Sequence, residues 1–228
     1  MKNTSHPAGD EIRIPCDNVE LGGALDIPEN PLGMILFAHG SGSSRASPRN
    51  NYVARVLREA GLGTLLMDLL TPREDRSQQN RFDIALLARR LEAALHWQRA
   101  DARIARLPVG LFGASTGAAA ALQVAAVPGS NITAVVSRGG RPDLAGHEAL
   151  AAVNAPTLLI VGGFDTGVIA LNEAAQDLMR CESRLEIVPG ATHLFDEPGT
   201  LEEAAALARA WFLRYLAPSA PSAMSPAP

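Results

Sequence analysis

"LFGASTGAAAAL" (residues 111–122) carries an apolar strand directly into a helix through Gly113, Ala114, Ser115, Thr116 and Gly117. Ahead of it, "PVGLF" (108–112) is a continuous apolar run of buried-strand length; behind it, "AAAALQVAA" (118–126) is a strong helix former. A G-x-S-x-G pattern arises easily by chance in a chain with 20 glycines, so its weight comes from context. Strand, tight turn and helix are the setting in which a serine is held out on a sharp elbow. The two glycines have a steric reason, because side chains flanking so tight a turn would collide. Such a turn lifts the hydroxyl off the carboxyl edge of a sheet and aims the free N–H groups of a helix start at developing negative charge. On this reading Ser115 is a candidate nucleophile; on the plainer one it is the N-cap of a crossover helix.

A serine hydroxyl attacks only when a base takes its proton, so a histidine and an acid are required. Two histidines follow Ser115. His193 lies in "GATHLF" (190–195), past the strand "LEIVPG", where the imidazole can reach the elbow; His147, in "LAGHEALAA", is expected to face solvent. Asp165, in "LLIVGGFDTGV" (158–168), ends the preceding strand and would hold the His193 tautomer and stabilise its imidazolium. Asp196 and Asp68 are the rival carboxylates. An oxyanion needs two donors. The N–H of Thr116 is one; "AHGSGSSR" (38–45) offers the N–H of Ser41, with Gly42 as the alternative. His39 precedes the serine and reads as a structural residue whose hydrogen bonds hold that loop. Gly40, Arg138 and Arg141 are the candidate substrate-binding residues. The two arginines end the strand "ITAVV" and could meet a carboxylate or phosphate by bidentate contact; the alternative is pairing with Asp143 or with solvent.

Outward from the elbow, the chain alternates between two periods. "EIRIP" and "VELGGALDIP" read as two short strands turning near Asn18, and "GMILFAHG" (33–40) as a buried strand. "RNNYVARVLREAG" (49–61) is helical with Gly61 closing it, "LGTLLMDLL" is strand, and "TPREDRSQQNR" (71–81) reads as a charged, flexible connector. "RFDIALLARRLEAALHWQR" (81–99) is the strongest amphipathic helix, with Ile84, Leu87, Leu91, Ala94 and Leu95 inward. Beyond the elbow come "NITAVVSRGG" as strand, "AGHEALAAV" as a short helix, "APTLLIVGG" as strand and "ALNEAAQDLMRC" as helix. "SRLEIVPG" is the last strand and "TLEEAAALARAWFLRYL" (200–216) the closing helix. Strands alternating with helices predict a doubly wound, mostly parallel α/β sheet with an antiparallel start, forming one domain over 1–217. Residues 218–228, rich in Pro, Ser and Ala, read as a disordered tail.

Composition narrows the function classes. A net charge of −4 with dispersed basic residues gives no footprint for nucleic acid. No run approaches the ~20 apolar residues of a membrane span, and the start lacks an apolar signal-peptide core, so a cytoplasmic location is expected. Cys16 and Cys181 form no CxxC pattern, and the five histidines are scattered, so neither a disulfide framework nor a metal is expected. The elbow lacks the spacing of a dinucleotide or P-loop fingerprint. Serine chemistry requires no cofactor.

HGSG (39–42), GASTG (113–117), GGFD (162–165) and GATH (190–193), in this order, resemble the α/β-hydrolase superfamily. The layout is similar to its dienelactone hydrolase-like branch, over about residues 11–216. The resemblance implies an α/β-hydrolase sheet, and large caps in that superfamily usually follow the sixth strand. Only residues 137–156 occupy that place, so no large cap domain and an open, shallow site are expected. Dienelactone hydrolases use a cysteine at the elbow where this chain has Ser115, which directs the expectation to a serine hydrolase of small carboxylic esters or lactones. An acyltransferase or perhydrolase on the same residues, or a non-catalytic binding module, are the alternatives. A small-molecule substrate and a monomer or small homo-oligomer are expected.

Overall fold

A computed structural model of the protein describes residues 9–217; residues 1–8 and the expected tail, 218–228, lie outside the described residues. The chain begins with a hairpin, β1 (Asp10–Cys16) and β2 (Val19–Asp26), turned at Asp17 and Asn18. Alternation follows: β3 (Gly33–Ala38), α1 (Pro48–Glu59), β4 (Leu62–Met67), α2 (Gln78–Phe82), α3 (Ile84–Ala100), β5 (Val109–Ala114), α4 (Thr116–Ala126) and β6 (Ile132–Arg138). The remainder is α5 (His147–Ala152), β7 (Thr157–Gly162), α6 (Thr166–Leu178), β8 (Ser183–Val188) and α7 (Thr200–Leu216).

Among the described residues the strands form one eight-stranded sheet in the order β1-β2-β4-β3-β5-β6-β7-β8. β1 with β2, and β2 with β4, pair antiparallel; every later pair is parallel. The inner strands are apolar on both sides because both faces are covered. Met34, Leu36 and Ala38 of β3 face the cluster under α3 and α4, while Ile35 and Phe37 face the one under α1 and α7. Phe37 and Phe112 meet there with ring centroids 4.9 Å apart. Each such fully buried phenylalanine contributes about 1.5–3 kcal/mol. α4 is buried nearly all round, and its alanines let it lie close to the sheet and to α3.

From β3 the chain winds to β4 on one side, then crosses to β5 on the other. The order therefore reverses beside β3, and the loops leaving β3 and β5 meet at their carboxyl ends, the edge where ligands bind in open α/β sheets.

Two expectations are corrected. The single helix over 81–99 is broken at Asp83, whose carboxylate accepts the Leu86 N–H (2.9 Å) and caps α3, leaving α2 as a separate turn. The connector 71–81 is folded. Thr71 and Glu74 exchange side-chain and backbone hydrogen bonds (2.9 and 3.2 Å), a capping box that opens a 3-10 turn at Glu74–Arg76. Arg81 forks onto Asp75, and buried Arg90 reaches Glu74. No described helix is long and apolar enough to cross a membrane.

Candidate active site

Ser115 occupies the turn between β5 and α4 with φ 51° and ψ −121°, a conformation that costs a non-glycine residue about 1–3 kcal/mol. The backbone around it is tied down: its N–H donates to the Arg138 carbonyl (3.4 Å), and its own carbonyl accepts the N–H of Ala118 and of Arg141 (3.1 Å each). A Cβ on Gly113 would lie 2.7 Å from the Ala118 nitrogen, and one on Gly117 2.6 Å from the Ala38 carbonyl carbon, so both positions demand glycine. The Ser115 side chain makes no capping hydrogen bond to α4, so its hydroxyl is not serving as an N-cap.

The hydroxyl borders a cavity of about 180 Å³ that His193 also lines. His193 sits in the loop after β8, and its Nδ1 is 2.6 Å from Asp165 Oδ2, at the carboxyl end of β7. An ionised carboxylate only accepts, so Nδ1 carries the proton and Nε2 keeps its lone pair. Glu197 holds the loop by accepting the Thr192 N–H (3.0 Å) and hydroxyl (2.7 Å). The rival carboxylates are engaged elsewhere: Asp196 with Arg49 (3.0 Å), Asp68 with the backbone and guanidinium of Arg45.

The loop after β3 lies against the elbow. A Cβ on Gly40 would stand 2.9 Å from that of Ser115, so this approach needs a glycine. Gly40 and Ser41 line the cavity. Among the described residues, no protein acceptor takes the backbone N–H of Ser41 or of Thr116. His39 braces the loop from behind: Nε2 accepts the Leu69 N–H (3.0 Å), so Nδ1 must bear the proton it donates to the Gly40 carbonyl (2.9 Å). Burial pushes its pKa below the ordinary imidazole value, outweighing the opposing effects of the Gly40 contact and of Asp68 and Asp75.

The two arginines proposed from sequence part ways. Arg141 forks onto Asp143 (2.9 and 2.7 Å) and does not line the cavity; its contribution to the elbow is the backbone bond to Ser115. Arg138 does line it, 7 % exposed, in phase with Ala134 and Val136 on the α1 and α7 side of the sheet. Its contacts are a 3.4 Å bond from Nη2 to Asn50 Oδ1 and the Phe195 ring 5.7 Å away. Nε and Nη1 find no partner among the described residues. Burying a charge costs several kcal/mol, whereas a cation–π contact returns about 0.5–2, so the guanidinium is under-compensated. Arg49 and Asn50, which also line the cavity, were missed from sequence. Their signal is position: the first turn of a helix that follows the loop at the sheet's reversal point necessarily borders the crevice. Larger hollows, of about 650, 730 and 450 Å³, lie between α3, α4 and α5, beside α1, and between α3 and the end of β1. None of these contains Ser115 or His193.

A doubly wound sheet with a strained serine elbow at its carboxyl edge and a histidine–aspartate pair beside it is the architecture of an α/β hydrolase. The model of the dienelactone hydrolase family matches residues 58–216. The crystal structure of dienelactone hydrolase from Anabaena variabilis is 53% identical, with a TM-score of 0.87, covering 90% of this chain and 98% of that one. An α/β serine hydrolase without lid from Xanthomonas campestris shares the fold at 20% identity, with a TM-score of 0.75 over 94% of this chain and 98% of its own. A Mycobacterium tuberculosis protein provisionally named a phosphoribosyl transferase is 56% identical over 213 residues, 93% of this chain and 48% of its own length. This chain thus spans about half the length of the curated relatives it matches. The chain belongs to the dienelactone hydrolase family.

Proposed function

We propose that the protein hydrolyses small carboxylic esters or lactones through an acyl-enzyme on Ser115. One observation carries the reading: the strained Ser115 elbow shares a cavity with His193, whose Nδ1 is bonded to Asp165. His193 Nε2 takes the proton from Ser115 Oγ as that oxygen attacks the carbonyl carbon. The backbone N–H groups of Ser41 and Thr116 receive the oxyanion, and the start of α4 adds its dipole. Collapse of the tetrahedral intermediate passes the proton from Nε2 to the leaving oxygen and leaves the acyl group on Ser115. Water then repeats the sequence and restores the serine. No Ser115–His193 hydrogen bond is made in this structure; in this class of site such bonds tighten when substrate binds. An acyltransferase or perhydrolase would use the same residues with another acceptor. The mycobacterial relatives' provisional name belongs to a protein twice as long, so it does not assign phosphoribosyl transfer to the shared half.

The test is hydrolysis of p-nitrophenyl acetate and butyrate before and after an organophosphonate serine probe, with mass spectrometry of the labelled peptide. Labelling at Ser115 with loss of turnover is expected. Ser115→Ala should lower kcat by at least several hundredfold while leaving the melting temperature close to wild type. A fully active Ser115→Ala protein would refute the assignment.

A further inference from the structure

Arg138 presents an unusual combination: a guanidinium only 7 % exposed, bordering the same cavity as Ser115, with two of its three nitrogens unpartnered among the described residues. Among the described residues no carboxylate is hydrogen-bonded to it. The charges that act on it are Arg49, which repels it, and Asp196, which attracts it but is engaged by Arg49. Burial first, and then Arg49, push its pKa down to about 10, so it remains charged at neutral pH. Buried charges are ordinarily paired or hydrogen-bonded, so the unpartnered nitrogens of this guanidinium would gain from an oxygen anion in the cavity.

Resting on the hydrolase reading above, we infer that Arg138, with Arg49 and Asn50 beside it, forms a subsite for an anionic oxygen group carried by the substrate close to the scissile ester. The geometry limits where that group sits. Arg138 pairs in the sheet with Ala114, the residue before the nucleophile, and its carbonyl accepts the Ser115 N–H, so the subsite adjoins the reacting centre. The cavity's small volume, about 180 Å³, keeps an anion bound there near both Ser115 and His193. Its planar fork suits a carboxylate or a phosphate monoester equally, and Arg49, one-third exposed at the rim, adds a second cation at the entrance. Asn50 Oδ1 orients the Arg138 fork by accepting from Nη2, leaving the other nitrogens for the ligand.

The experiment compares matched esters on wild type, Arg138→Met and Arg49→Gln, alongside phosphonate labelling of Ser115. p-Nitrophenyl hemisuccinate carries a carboxylate on the acyl side and p-nitrophenyl butyrate is its neutral counterpart; 4-acetoxybenzoate places the charge on the leaving side, with its methyl ester as the neutral counterpart. Wild type should favour one anionic member by about tenfold or more in kcat/KM, as charge-assisted hydrogen bonds allow. Arg138→Met should abolish that preference, bringing the anionic and neutral members of each pair to similar kcat/KM, and melt no lower than wild type, because it removes an uncompensated buried charge. Arg49→Gln, at a position where folding is not at stake, should weaken the preference in the same direction. Calorimetry of inorganic phosphate and of succinate on Ser115→Ala, and on the double variant lacking Arg138, separates phosphate from carboxylate as the source.

Equal losses on neutral and anionic esters together with a lowered melting temperature would make Arg138 a structural brace and overturn the subsite. Labelling at Ser115 with turnover of neutral esters but no anionic preference would likewise remove it, leaving the hydrolase reading intact. Arg138-dependent binding of phosphate or succinate to a protein that neither turns over esters nor labels would keep the subsite and remove the hydrolase reading instead.

Discussion

At His39 the hydrogen bonds leave one protonation state available. Nε2 must accept from Leu69, so a second proton would break the link between the loop after β4 and the loop that carries Ser41. The unfolded chain's imidazole titrates near about 6.5, and burial holds the folded value lower. Above 6.5 the ring is neutral in both states and its contribution is fully present. As pH falls below that, the unfolded chain takes the proton first, so stability declines until the folded value is reached. We expect urea unfolding between pH 8 and 5 to show a slope of up to about 1.4 kcal/mol per pH unit from this residue, and His39→Gln to flatten it. Parallel profiles for the two proteins would place the dependence elsewhere. The structural role of His39 was readable from its position at a strand end ahead of the serine. The difference between Arg138 and Arg141 was not, since sequence spacing puts both beside the crevice. What separates them is strand phase, which turns Arg138 inward, and the carboxylate two residues beyond Arg141.

Asp83 shows how an element can be correct in kind and wrong in extent. Apolar periodicity continues across it, so the pattern alone reads as one helix, while a carboxylate ready to accept the Leu86 N–H ends one helix and starts another. Asp83→Ala should cost about 1 kcal/mol and lower the melting temperature by a few degrees with kcat unchanged, checked by thermal unfolding and ester assay on one preparation. The connector before it did carry a signal, Thr71-Pro-Arg-Glu74, the residue pattern of a capping box. Its charges masked that signal by suggesting a solvated loop. The buried strands and closing α7 were legible because runs covered on two faces and a long amphipathic repeat each admit one reading.

On the scale of the whole molecule, the sheet order explains why residues 39–41, 115, 165 and 193 converge: each follows a parallel strand, and all parallel strands end on one edge. That convergence was inferable once the alternation of strands and helices was recognised; the distances between side chains were not. With only residues 139–156 between β6 and β7, and a cavity of about 180 Å³, acyl chains outgrow the site quickly. Across p-nitrophenyl esters, kcat/KM should gain up to about fourfold per buried methylene and then stop rising well short of octanoate. A steady rise through decanoate would reveal an apolar groove beyond the cavity. At the far end of the molecule, the Leu216 side chain packs against Gly33, at the amino end of β3, on the edge opposite Ser115. A linker or solid support attached beyond α7 would therefore leave the enzyme oriented with its mouth toward solution, free to meet substrate while its opposite pole is tethered.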